Sequence, residues 1–187
     1  MKILFVDSTL RENSRTLFLA NKYLEKLDGQ INRLILADSK VKPLNKQSLA
    51  KYGQDVENKD YSDEMYDYAK EFSNSDMVVI AAPFYNFSIP ALLHDYLEMV
   101  CSQGVTFDLD SNGDYYSLCK IKKLVYITTA GGYIPQQDHG FGYINQLCQQ
   151  FFKIKDVEYI KADGIDLVGN DCEKILADVI DLSLIHI

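Results

Sequence analysis

Six consecutive apolar residues, Met77–Ala82 (MVVIAA), constrain the fold of this chain more than any other feature. The run is too short to cross a membrane as a helix, and a strand without polar alternation must be covered on both faces. A central strand of a parallel sheet layered by helices meets that requirement. Lys2–Asp7 (KILFVD), Ile31–Ala37 (INRLILA), Leu124–Thr129 (LVYITT) and Val157–Ala162 (VEYIKA) read as four further strands. Between them, apolar residues recur at three- and four-residue spacings over Ser14–Leu27, Ser62–Phe72, Pro90–Cys101 and Tyr143–Phe152, the period of amphipathic helices. A last helix is predicted to start near Asn170, a good N-cap, with Asp171 and Glu173 in its first turn.

Strand and helix in regular alternation predict an α/β fold, an open five-stranded parallel sheet with helices on both faces. Five strands in 187 residues fit the flavodoxin-like order 2-1-3-4-5 and a single domain over residues 1–187. Two segments interrupt the alternation. Asp38–Asp60 is polar and Lys-rich, and reads as a long functional or subunit-contacting loop. Asp108–Tyr116 carries Asn112-Gly113 between apolar or aromatic flanks, a compact hairpin signal. The apolar tail Leu182–Ile187 (LSLIHI) suits docking on the core.

Nineteen basic against 27 acidic side chains give a net charge of −8, a poor match to nucleic-acid backbones or anionic lipid. No apolar run suits a membrane span, and the N-terminal segment reads as a buried strand rather than a leader. Cys101, Cys119, Cys148 and Cys172 are widely spaced with no Cys-x-x-Cys pair, which predicts neither a metal site nor a disulfide framework. Reduced, mostly buried thiols in a cytoplasmic protein follow.

In an open doubly wound sheet, ligands bind beyond the carboxyl ends of the strands where the order reverses. Three loops therefore matter. The first, Ser8–Thr16 (STLRENSRT), has neither a dinucleotide nor a nucleoside-triphosphate glycine pattern. It offers Ser8, Ser14, Arg15 and Thr16 at a helix start, donors suited to a terminal phosphate, although helix capping by Ser14 would explain part of it. The second, Pro83-Phe84-Tyr85-Asn86-Phe87-Ser88-Ile89-Pro90, combines stiffening prolines, flat aromatic surface and an amide able to donate and accept. Such a loop suits a heteroaromatic ring; aromatic core plugs are the simpler alternative. In the third, Thr129-Ala130-Gly131-Gly132, paired glycines permit close backbone approach and expose N–H groups, though a plain turn would use them too.

The stretch APFYNFSIPALLHDYLEMVCSQGVTF resembles the Pro-x-Tyr-Asn-Phe-x-Ile-Pro…Gly-Val-Thr-Phe signature of the flavodoxin-like FMN-dependent NADH-azoreductase and NAD(P)H quinone oxidoreductase family. ITTAGG and STLRENSRT lie where that family has its glycine and phosphate loops, and the likeness runs from Met1 to about Asp181. It implies that Ser8, Ser14, Arg15 and Thr16 hold the phosphate of FMN. It further implies that Pro83, Phe84, Tyr85, Asn86 and Phe87 contact the ribityl chain and ring, and that Thr129, Ala130, Gly131 and Gly132 meet the pyrimidine edge. NADH or NADPH would donate electrons and a quinone-like or azo compound would accept two of them, by ping-pong hydride transfer in a homodimer. Many azoreductases carry Ser-Arg at the position of Thr129-Ala130, so a cation near the ring is missing here. The segment after Gly132 (YIPQQDHGFGYINQL) also departs from their pattern.

No catalytic side chain is certain. His139 is a candidate proton donor beyond the glycine loop, with a solvated loop histidine as the plainer reading. Phe107 is a candidate for stacking on the ring. A one-electron carrier of flavodoxin type would share the fold and acidity, but such carriers use a Thr-rich phosphate loop and usually flank the ring with a tryptophan or tyrosine, whereas this chain has no tryptophan and a Pro-Phe-Tyr-Asn-Phe loop instead. A phosphate-ester hydrolase on the same fold would need a nucleophile, and no cysteine lies in the first loop.

Overall fold

In a computed structural model describing residues 1–183, the alternation resolves into seven strands and six helices among the described residues. They are β1 (Lys2–Asp7), α1 (Arg15–Leu24), β2 (Gln30–Ile35), α2 (Lys46–Asn58), α3 (Asp67–Ser73), β3 (Met77–Ala81), α4 (Ala91–Val100), β4 (Phe107–Leu109), β5 (Tyr115–Ser117), β6 (Lys123–Thr129), α5 (Phe141–Leu147), β7 (Asp156–Ala162) and α6 (Cys172–Ser183). Five strands form one parallel sheet in the order β2-β1-β3-β6-β7, which is the expected 2-1-3-4-5 once the hairpin β4–β5 is set apart.

The period-2 geometry of the strands divides the core in two. Leu4, Val6, Val78, Ile80, Leu124 and Tyr126 face α3, α4 and α5 through Phe72, Leu93, Tyr96, Leu97 and Ile144. Ile3, Phe5, Met77, Val79, Val125 and Ile127 face α1 and α6 through Leu19, Tyr23, Leu24 and Leu176. All five residues of β3 are buried, as its unbroken apolarity requires.

The segment 38–60 departs from expectation. It is no long loop: α2 fills most of it, opened by a capping box between Asn45 and Ser48 and closed at Lys59 with φ 53°. Its apolar positions, Leu49, Tyr52 and Val56 among them, are few, and its most buried residue is Asp55, held by Lys51 at 2.7 Å and Tyr66 Oη–H at 2.9 Å. The hairpin forms, but around a longer turn than Asn-Gly alone would give. Asp110 Oδ1 accepts from the N–H of Asn112 and Asp114, and Gly113 takes φ 85°. The last helix is capped one residue later than expected, by Asp171 Oδ1 accepting from Lys174 N–H at 3.1 Å. Most of the tail Leu182–Ile187, residues 184–187, lies outside the described residues.

Candidate functional site

The strand order reverses between β1 and β3, and a cleft of about 800 Å³ opens there. Its lining comes from the three loops singled out by sequence, through Arg11–Thr16, Pro83–Tyr85 and Thr129–Gly131, with Ile165 and Asp166 added from the loop after β7. A groove of about 930 Å³ lies at the β2 edge, beside α2. There, pairs such as Lys40–Glu64 and Lys51–Asp63 satisfy much of the charge internally, and the groove is remote from the reversal point.

The wall formed by the first loop is tied down. Ser14 caps α1, its Oγ accepting from Leu17 N–H at 3.2 Å. The Thr16 and Thr129 hydroxyls meet at 2.7 Å in a buried contact across the top of β3, joining the first loop to the end of β6. Arg15 Nη1 donates to Asp166 Oδ1 at 2.6 Å, a contact that raises the guanidinium pKa above its ordinary value. Ser8 is placed beneath the loop rather than in the cleft: it is fully buried and its hydroxyl donates to the Ala81 carbonyl at 3.1 Å. The N–H groups of Arg15 and Thr16 find no acceptor among the described residues, as the first turn of a helix dictates.

The opposite wall is strained and open. Tyr85 and Ser88 exchange backbone hydrogen bonds at 3.0 and 2.9 Å, closing a two-residue turn in which Asn86 has φ 51° and Phe87 φ 64°. Asn tolerates that left-handed region, whereas for a residue like Phe it costs about 1–2 kcal/mol. The Phe87 ring is 67% exposed and meets Phe84 edge-on, so burial returns little of that cost. Arg11 stands over the Tyr85 ring at 5.8 Å. His139 lies on the rim, exposed, its carbonyl accepting from Ser88 Oγ at 3.3 Å and its turn held by Asp138, which accepts from the N–H groups of Gly140 and Phe141.

At the third loop, Ala130 N–H bonds the Ala162 carbonyl, but the N–H groups of Gly131 and Gly132 have no acceptor among the described residues. The two glycines differ. A Cβ on Gly132 would meet nothing within 4 Å, whereas one on Gly131 would stand 2.6 Å from Asp166 Oδ2. Phe107 is placed elsewhere, at the start of β4 in the hairpin, stacked on Phe151 at 4.3 Å. Gly104 likewise serves packing, with φ 80° and the Tyr61 ring over its Cα. Sequence reasoning missed Asp166, which only its place beyond the carboxyl end of the last strand could have signalled.

The donor set suits a phosphate-terminated heteroaromatic. Free N–H groups and a guanidinium lie at one end, aromatic rings along one side, and bare backbone donors at the other end. The sequence profile of the flavodoxin-like fold matches residues 1–181. An FMN-dependent NADH:quinone oxidoreductase of Clostridium acetobutylicum is 30% identical over 193 aligned positions, covering 96% of this chain and 94% of its own. The chain belongs to this family. A Clostridium perfringens protein of the same description is 29% identical over 177 positions, covering 90% and 88%. Among solved structures, an azoreductase from Bacillus anthracis superposes with TM-score 0.83 at 20% identity, covering 97% of this chain and 96% of that one. An FMN-dependent NADH-azoreductase from the same species, in complex with FMN, gives 0.79 at 20% identity over 98% and 96%. At that identity these two speak for the fold.

Proposed function

We propose that this protein is an FMN-dependent oxidoreductase that carries two electrons from a reduced nicotinamide nucleotide to a quinone-like or azo acceptor. The observation that carries the reading is the pairing, around one cleft, of backbone donors without an acceptor among the described residues with the aromatic side chains of Phe84 and Tyr85. Relatives described as FMN-dependent NADH:quinone oxidoreductases over most of the chain support it. When bound, FMN supplies the redox chemistry, taking a hydride from the nicotinamide and reducing the acceptor in turn.

The N-terminal turn of α1 holds the phosphate through the N–H groups of Arg15 and Thr16 and the Arg15 guanidinium. Phe84 and Tyr85 form the side of the cleft that would take the ribityl chain and ring, and Asn86 would offer an amide to a ring edge. The N–H groups of Gly131 and Gly132 would supply donors for negative charge on the reduced ring. Thr16 and Thr129, bonded to each other, fix the spacing between the phosphate end and the ring end. The Phe87 ring, exposed beside the cleft, covers apolar surface of an incoming substrate. Protons for the acceptor come from water or His139, so no side chain is an indispensable acid. The single cleft would admit donor and acceptor in turn, and a homodimer would complete its wall.

Steady-state rates measured against NADH at several fixed quinone concentrations should give parallel double-reciprocal lines. Intersecting lines would show both substrates bound together and contradict the shared face. Accumulation of a one-electron flavin species during titration would instead favour a carrier.

A further inference from the structure

Arg15, after β1, meets its carboxylate partner, after β7, across the two intervening strands β3 and β6. Asp166 arrives from the loop after β7, which runs beside the glycine loop through backbone bonds from Asp166 N–H to Gly131 O at 2.9 Å and Gly164 N–H to Gly132 O at 2.9 Å. One carboxylate oxygen takes a hydrogen bond from Arg15 Nη1 at 2.6 Å, and the other occupies the space a Gly131 side chain would need. The carboxylate therefore sits at the junction of the phosphate-binding turn and the glycine loop, among the residues lining the cleft. Both partners are substantially exposed, 44% for Arg15 and 61% for Asp166, so their pairing adds little to folding stability. Its larger effect falls on what enters the cleft. A phosphomonoester carrying about −1.5 to −2 charge would approach a guanidinium already matched by one carboxylate.

We propose that Asp166 is a positioning residue that competes with the flavin phosphate for Arg15, and so sets how tightly FMN is held. The proposal rests on the FMN reading above. Arg15 uses one nitrogen on Asp166 and retains its other donors for phosphate, so the two anions share one cation. Replacing the carboxylate by its amide keeps the shape and removes the repulsion. At a few ångströms and the effective dielectric of a partly exposed site, that repulsion corresponds to about a tenfold change in affinity. Riboflavin, which has the ring but no phosphate, should not sense the change.

The test uses the full chain loaded with FMN or with riboflavin and diluted stepwise, the free flavin being read by its fluorescence. Asp166→Asn should bind FMN about tenfold more tightly than the native chain, with unchanged riboflavin affinity and a gap that narrows in high salt. Asp166→Glu should stay near the native value. In an Arg15→Gln background, Asp166→Asn should have little effect, because the contested cation is gone. Equal or weaker FMN binding by Asp166→Asn would overturn the competition, weaker binding meaning that the carboxylate instead steadies Arg15 for phosphate. An equal shift for riboflavin would also overturn it, by showing a change of pocket shape. Failure of the native chain to bind FMN would overturn the FMN reading and the competition with it.

Discussion

The two walls of the cleft are built on opposite principles. On the first-loop wall four polar side chains are bonded inside the molecule: Ser14 with Leu17 N–H, Thr16 with Thr129, Arg15 with Asp166, and Ser8 with Ala81 beneath. On the aromatic wall Phe87 is exposed and held at positive φ by a two-residue turn. Order on the first wall is established by folding alone. The second carries strain at Asn86 and Phe87 that the edge-on Phe84 contact offsets only in small part, and backbone strain of that kind gathers at ligand sites. A preset anion end and a strained ring side suit a ligand whose phosphate fixes its register while its ring is gripped by surface that folding left uncovered.

Variants that damage each wall separately can break this contrast. The largest effect is expected of Gly131→Val, whose Cβ falls 2.6 Å from Asp166 Oδ2 and forces the two loops apart. FMN affinity should fall more than tenfold and stability by about 1–3 kcal/mol, read by flavin titration and thermal unfolding. Unchanged values for both would show that the loops yield freely and that the first wall is not preset. Next comes Asn86→Gly, which keeps the left-handed turn and removes only the amide. Leaving ring-edge groups unpaired should cost about 1–3 kcal/mol of flavin affinity, with the melting temperature held, so unaltered binding would make Asn86 a turn residue only.

A smaller effect on folding is expected of Phe87→Gly. Relief of about 1–2 kcal/mol of left-handed strain is set against glycine's extra freedom in the unfolded chain, so stability should change by less than about 1 kcal/mol. The KM for the acceptor should nevertheless rise. Marked destabilisation with unaltered kinetics would identify the ring as packing and remove the contrast between the walls. The smallest effect is assigned to His139→Ala. A true general acid contributes about 100-fold or more; a rim histidine replaceable by water should cost well under tenfold in kcat, and a larger loss would make His139 catalytic.

The sheet was legible because parallel strands covered on both faces must be apolar, and Met77–Ala82 left no other reading. Helix α2 was hidden for the converse reason: a surface helix needs few apolar contacts, and its most buried residue is Asp55, which sequence periodicity counts as polar. The loops that line the cleft were legible from topology, since the reversal of strand order singles out the chain after β1, β3 and β6. Side-chain direction within them was not. Nothing local distinguishes the buried hydroxyl of Ser8 from the capping hydroxyl of Ser14, or tells that Phe107 stacks on Phe151 rather than beside the cleft. The Arg15–Asp166 pair joins positions 151 residues apart, and neither residue announces the other.

The central claim is that one cleft holds a flavin by a phosphate end and a ring end. Identifying, by mass spectrometry, the flavin released from the purified full-length protein tests it most directly. On the proposed reading the first-loop donors take a single terminal phosphate, so FMN should be recovered, near one per chain once the protein has been saturated and freed of excess. Recovery of FAD, or no retention of flavin after saturation, would contradict the account.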